Sequence, residues 1–191
     1  MGFQIAMEPA ADRVLDEHPF ALLAGMMLDQ QFAMEHAFRG PAKVLERFGS
    51  LDPEAIAGAD PEAFVALCTQ PPAVHRYPKS MAARLQALAA AVVEQYDGDT
   101  TRLWTEATSG RDLLKRVQAL PGFGRQKAQI FVALLAKQVG VRPPGWEQVV
   151  GDYGLDGHRS VADVVDPDSL QKVRDFKKAK KAEQAATAAA R

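Results

Sequence analysis

The chain of 191 residues has one cysteine, Cys68, an aromatic content of 7% and no long apolar run. A single cysteine excludes an internal disulfide, a cysteine zinc site and a four-cysteine iron–sulfur cluster. No apolar stretch approaches the roughly 18 residues that a membrane span needs. Met1 to Asp12 lacks the basic-then-apolar order of a secretory signal, and His18, His36 and His158 have no metal-ligand spacing. These shortages point to a reducing, cytoplasmic setting, with no membrane association, zinc or calcium. What remains is an apolar fraction of 47%, ample for the core of one domain or two small lobes.

Net charge is also scarce, at -1, but it is unevenly spread. Residues 1–70 carry four basic against eleven acidic side chains, residues 71–142 eleven against five, residues 143–170 one against six, and residues 171–191 seven against two. A polyanion would therefore meet residues 71–142, in the middle of the chain, and its C-terminal end.

Apolar spacing and caps give a series of helices and no strand series, so the fold class is all-α. Gly2 to Met7 reads either as a short strand or as an irregular arm. Phe20 to Phe38 reads as two helices joined at Asp29-Gln30-Gln31, with Asp29 a candidate cap for the second. Gly40-Pro41 opens another helix, Ala42 to Phe48. Asp52-Pro53-Glu54 and Asp60-Pro61-Glu62 each place a capping aspartate before a proline at the first helical position. After Pro71-Pro72 a link through His75 leads to a long helix, Lys79 to Tyr96, with Met81, Leu85, Leu88, Ala89, Val92 and Val93 as its buried stripe. Short helices are predicted over Ser160 to Val165 and Pro167 to Phe176. From Lys177 the sequence is rich in Ala and Lys without an apolar stripe, and a frayed or disordered tail is expected over residues 177–191.

The stretch Leu120-Pro121-Gly122-Phe123-Gly124 separates two helical periods: Leu113, Leu114, Val117 and Leu120 before it, Ala128, Phe131, Leu134 and Leu135 after it. Proline followed by two glycines stops a helix, and glycine takes the positive φ of a tight reversal. Helix, hairpin, helix results. The amides of Gly122 and Gly124, and the first amides of the next helix, are left at the positive end of a helix dipole, which makes a phosphate site.

Leu-Pro-Gly-x-Gly between helices resembles the helix-hairpin-helix of the HhH-GPD superfamily of base-excision DNA glycosylases, which includes endonuclease III and the 3-methyladenine glycosylases. Pro19-Phe20-Ala21-Leu22-Leu23 with Leu28-Asp29-Gln30-Gln31 resembles the family's first core helices and their glutamine-containing turn. Tyr77-Pro78-Lys79-Ser80-Met81-Ala82 resembles the stretch that opens the helix before the hairpin. The resemblance runs in order over about residues 13–155. It implies a two-lobed domain over residues 1–176 with the hairpin motif at about 111–138, a monomer that acts on damaged or mispaired double-stranded DNA. By the resemblance, the hairpin at Gly122, Gly124, Arg125, Gln126 and Lys127 holds a DNA phosphate. The carbonyls of Gln118, Leu120 and Phe123 hold a monovalent cation beneath it, and Gln31 or its neighbour Gln30 fills the space left by a flipped base.

Two positions depart from the family pattern. The lysine that forms a Schiff base in bifunctional members is Gln126 here, and Lys127 is turned by about 100° around the helix, onto a solvated or DNA-facing surface. This predicts a monofunctional enzyme that uses water, without lyase activity. The family's catalytic aspartate is also missing, since its expected spacing falls on Pro144 to Trp146. Glu147 takes its place if a small insertion is allowed, and Asp152 is the alternative. A carboxylate there would stabilise an oxocarbenium-like transition state. The ordinary reading of Glu147 is an exposed acid at a helix start. Trp146 and Tyr153 either stack on a flipped base or belong to the core. His75, Arg76 and Tyr77 either line the base pocket or form a loop satisfied by backbone. A non-catalytic lesion- or structure-sensing protein of the same fold is the alternative function.

Overall fold

The structure is a computed structural model that describes residues 2–191, and among these there are eleven α-helices and no strand. One lobe comprises α1 (Pro9–Glu17), α2 (Pro19–Leu28), α3 (Met34–Phe48), α4 (Pro53–Gly58), α5 (Pro61–Thr69) and α6 (Pro78–Tyr96). The other comprises α7 (Arg102–Thr105), α8 (Gly110–Gln118), α9 (Arg125–Leu134) with a π-helical turn Leu135–Val139, α10 (Trp146–Val150), 3-10 turns at Gly151–Gly154 and Val161–Asp163, and α11 (Pro167–Ala189). None of these helices is long and apolar enough to cross a membrane.

Helix α2 is the pivot of the fold. Nine of its ten residues are buried, as expected for a helix that is apolar all round. It packs against α1, α3 and α6 in its own lobe and against α9 in the other. Its C-terminal end therefore lies where the lobes meet, and the Asp29-Gln30-Gln31 turn starts from there.

Local chemistry sets most boundaries. Six of the eleven helices begin with proline at or next to the first position, where a missing N–H costs nothing. Asp52 accepts from the Glu54 amide and Asp60 from the Ala63 amide, so both expected caps form. The stripe of α6 is buried, apart from the half-buried Val93.

One open choice is decided and three expectations change. Residues 2–8 form an irregular arm, not a strand, because Asp12 and Asp16 take the amides of Ile5, Ala6 and Phe3 at 2.8–2.9 Å. Helix α3 runs unbroken through Gly40-Pro41. A Cβ at Gly40 would lie 2.6 Å from the Leu28 side chain, and this close core packing outweighs the roughly 3 kcal/mol that an interior proline costs. Asp29 does not cap α3, whose N-cap is Ala33; it is the C-cap residue of α2. Finally, residues 177–189 are not frayed but continue α11. Asp166 and Ser169 nucleate that helix with a reciprocal capping box, and alanine, lysine and glutamine carry it on by propensity, even though everything beyond Phe176 is exposed.

Candidate functional site

The hairpin between α8 and α9 has the expected reversal. Gly122 has a φ of +84°, and a Cβ there would sit 2.9 Å from Met27 of α2, so the turn is pressed against the pivot helix. Phe123 is buried edge-on to Phe131, with ring centroids 5.9 Å apart. Gly124 is the N-cap of α9, with open space where its Cβ would be. The amides of Gly122, Gly124, Arg125 and Gln126 donate no hydrogen bond among the described residues, and they lie at the positive end of the α9 dipole. Open amides in this position can receive an anion. The Leu120 carbonyl accepts the Phe123 amide, while those of Gln118 and Phe123 accept none of the backbone bonds made outside the helices. All three keep at least one lone pair.

The Asp29-Gln30-Gln31 turn is held from three sides. Lys127 on α9 donates to the carbonyls of Met27 (3.0 Å) and Asp29 (3.2 Å). His75 Nδ1 accepts the Tyr77 amide, which leaves its proton on Nε2 to donate to the Gln30 carbonyl at 2.9 Å. From α6, Arg84 donates to the Gln30 side chain, which itself donates back to the Met27 carbonyl. Gln30 is thereby occupied. Gln31 is exposed and has a φ of +51°, a left-handed conformation that a non-glycine residue adopts only when its surroundings impose it. Of the two glutamines, Gln31 is the one free to project.

Lys127 is thus not on a solvated surface. Its ammonium group caps the C-terminal end of α2, and burial lowers its pKa, opposed by nearby Asp29. His75 is 1% exposed, and burial lowers its pKa as well. It stacks at 4.7 Å on Phe32 and acts as a latch satisfied by backbone. Arg76 and Tyr77 are exposed, with the guanidinium 5.5 Å above the ring.

Between the lobes, bounded by α2, α9 and α11, lies a cleft of about 490 Å³. Its walls carry Lys127, Arg159, Lys177, Lys180 and Lys181, with Gln126 and the ring of Tyr153. Gln126 donates to the Tyr153 hydroxyl at 2.8 Å, and Lys180 lies 5.8 Å from that ring. Among the described residues one carboxylate borders the cleft, that of Asp29. It accepts no hydrogen bond among these residues, remains half-buried and borders the cleft. Burial raises its pKa and Glu35 adds to this, whereas Lys177 and Lys127 oppose it.

The remaining candidates lie elsewhere. Glu147 is exposed in the first turn of α10, and Asp152 is exposed in the following 3-10 turn; neither borders the cleft. Trp146 packs against the core, close over Gly110 and Gly154. Tyr153 joins the cleft and Trp146 does not. Among the described residues no group of three or more His, Cys, Asp or Glu is arranged to hold a metal ion. Sequence reasoning passed over Asp29 as a cleft carboxylate, and over Arg159 and the α11 lysines as cleft walls. The basic excess of residues 171–191 was the one signal pointing to the latter.

A family model described as HhH-GPD superfamily base excision DNA repair protein matches residues 24–190. The match starts within α2, extends past the motif resemblance at its C-terminal end, and takes in the whole of α11. No curated protein and no solved structure matches the chain.

Proposed function

Since the chain belongs to the HhH-GPD superfamily of base excision DNA repair proteins, we propose that it is a monofunctional DNA glycosylase, hydrolysing the N-glycosidic bond of a damaged or mispaired base in double-stranded DNA. The observation that carries this reading is the cationic cleft with a single carboxylate, placed beside the open amides of the hairpin. The hairpin holds one phosphate through the amides of Gly122, Gly124 and Gln126, with Arg125 adding charge, and the carbonyls of Gln118, Leu120 and Phe123 would hold a monovalent cation on its other side. Gln31 enters the stack. A filler side chain offsets part of the few kcal/mol that unstacking costs. The extruded nucleotide enters the cleft, where Tyr153 offers a stacking face.

Water, not an amine, is the nucleophile in this reading. Gln126 occupies the position of the family's lysine, and the Lys127 ammonium is engaged with two carbonyls of the α2 end. The protein acts as a monomer in a reducing, cytoplasmic compartment. Burial there pushes the Cys68 thiol up to about 11, so it is inert at neutral pH.

The test is chromatography of free base released from duplexes that each carry one alkylated, deaminated, oxidised or mispaired base. Release from at least one duplex is expected, with strand scission only after hot alkali and no borohydride-trapped adduct. A trapped adduct would refute the monofunctional assignment. The second reading, a non-catalytic lesion sensor, is favoured by one observation: Glu147 and Asp152 both lie outside the cleft. It requires tight, lesion-selective binding with no base released from any duplex.

A further inference from the structure

Glycosidic hydrolysis through an oxocarbenium-like transition state calls for a carboxylate at the sugar, and the cleft contains one in an unexpected place. We propose that Asp29, at the end of α2, is the catalytic carboxylate of this chain, in place of a residue following the hairpin. The proposal rests on the glycosylase reading above.

Four observations carry it. Asp29 borders the cleft, and no other carboxylate among the described residues does. Its oxygens accept no hydrogen bond among those residues, so their lone pairs are available to a substrate. Its backbone, by contrast, is fixed. The Asp29 amide donates to the Gly25 carbonyl at 3.1 Å and its carbonyl accepts from Lys127, so the side chain projects from a rigid base. Finally, Gln31 stands two residues on, in the left-handed conformation. One turn therefore carries both the wedge and the carboxylate, so that extrusion of a base brings its sugar to Asp29.

The surroundings of Asp29 act in both directions, with burial the largest influence and a raised pKa the net result. Burial and Glu35 favour the protonated acid, and Lys177 and Lys127 favour the carboxylate. Glu35 is itself tied to Arg174 of α11 by one oxygen, and its other oxygen is buried without a partner. In the step proposed, the C1′–N bond breaks and its electron pair leaves with the base. The cation at C1′ faces the Asp29 carboxylate. A water oxygen then bonds to C1′, and one water proton passes to the carboxylate and from there, through solvent, to the departed base. Lys127 acts as a positioning residue for Asp29, through the Asp29 carbonyl and its fixed charge.

The experiment needs no knowledge of the lesion. Two duplexes are compared for affinity, one with a cationic pyrrolidine in place of the sugar and one with neutral tetrahydrofuran. The wild-type protein is expected to prefer the pyrrolidine by about tenfold or more, as transition-state analogues are preferred. In Asp29→Asn this preference should vanish while tetrahydrofuran affinity stays within about twofold, and it should persist in Glu147→Gln and Asp152→Asn. A preference that survives in Asp29→Asn and is lost in either of the other two overturns the assignment but leaves the glycosylase reading intact. No preference in the wild-type protein overturns both. Melting temperature, measured on each variant, checks that the Asn substitution keeps the fold.

Discussion

Gly122 and Gly124 stand two residues apart in the same hairpin for different reasons. Gly122 needs its positive φ and its closeness to Met27; Gly124 has an ordinary φ of -76° and open space. Gly122→Ala should therefore cost about 1–2 kcal/mol of stability, measured by chemical denaturation. Gly124→Ala should hold stability within about 1 kcal/mol yet weaken DNA binding in an anisotropy titration, because its methyl group occupies the phosphate's approach. The hairpin sequence announced the turn, but it did not distinguish these two roles, which depend on what lies across the lobe boundary. His75 illustrates the same limit. Its neighbours in sequence left it between pocket and backbone roles, and the deciding partner, Gln30, is far away in the chain. Its folded pKa lies below the ordinary 6.5, so the unfolded chain binds the proton first as pH falls. Stability contributed by neutral His75 is present at higher pH and is lost as pH falls below about 6.5. In His75→Gln, the stability deficit relative to wild type should be largest near neutrality and should narrow toward pH 5.5, as followed by thermal denaturation.

Elements were legible where local chemistry dictates them. Prolines at helix starts and aspartate caps act within a few residues, so α4, α5 and α6 could be read directly. The unbroken α3 could not, because Gly40-Pro41 carries a local stop signal that only the packing of Leu28 and Val74 overrides. Lys127 links elements in a comparable way, closing the C-terminal end of α2 from α9. Lys127→Met keeps the length and removes the charge and donors. It should cost about 1–2 kcal/mol and loosen the Asp29-Gln30-Gln31 turn, seen as faster amide exchange there. Helix α11 offers a test of a different kind. Residues 177–191 are exposed and hold five basic side chains against one acidic. Truncation after Phe176 should leave the melting temperature nearly unchanged. It should also make the salt dependence of DNA binding shallower, by about 0.9 in the log–log slope for each phosphate that the truncated protein no longer neutralises.

At the scale of the whole molecule, the cleft joins residues from the end of α2, the start of α9, the 3-10 turn after α10 and the exposed half of α11. No window of sequence contains more than a fraction of that surface, which is why counting forward from the hairpin led to Glu147 and Asp152 and passed over Asp29. Hairpin and cleft lie side by side: one leaves amides open at a helix start, and the other places a carboxylate among cations. The single-turnover rate of base release from the best lesion substrate, compared between the wild-type protein, Asp29→Asn and Glu147→Gln, tests the assignment of Asp29 most directly. Asp29→Asn is expected to slow release by about 100-fold or more, with Glu147→Gln within a few-fold of wild type. Full activity in Asp29→Asn, with activity lost in Glu147→Gln, would contradict it.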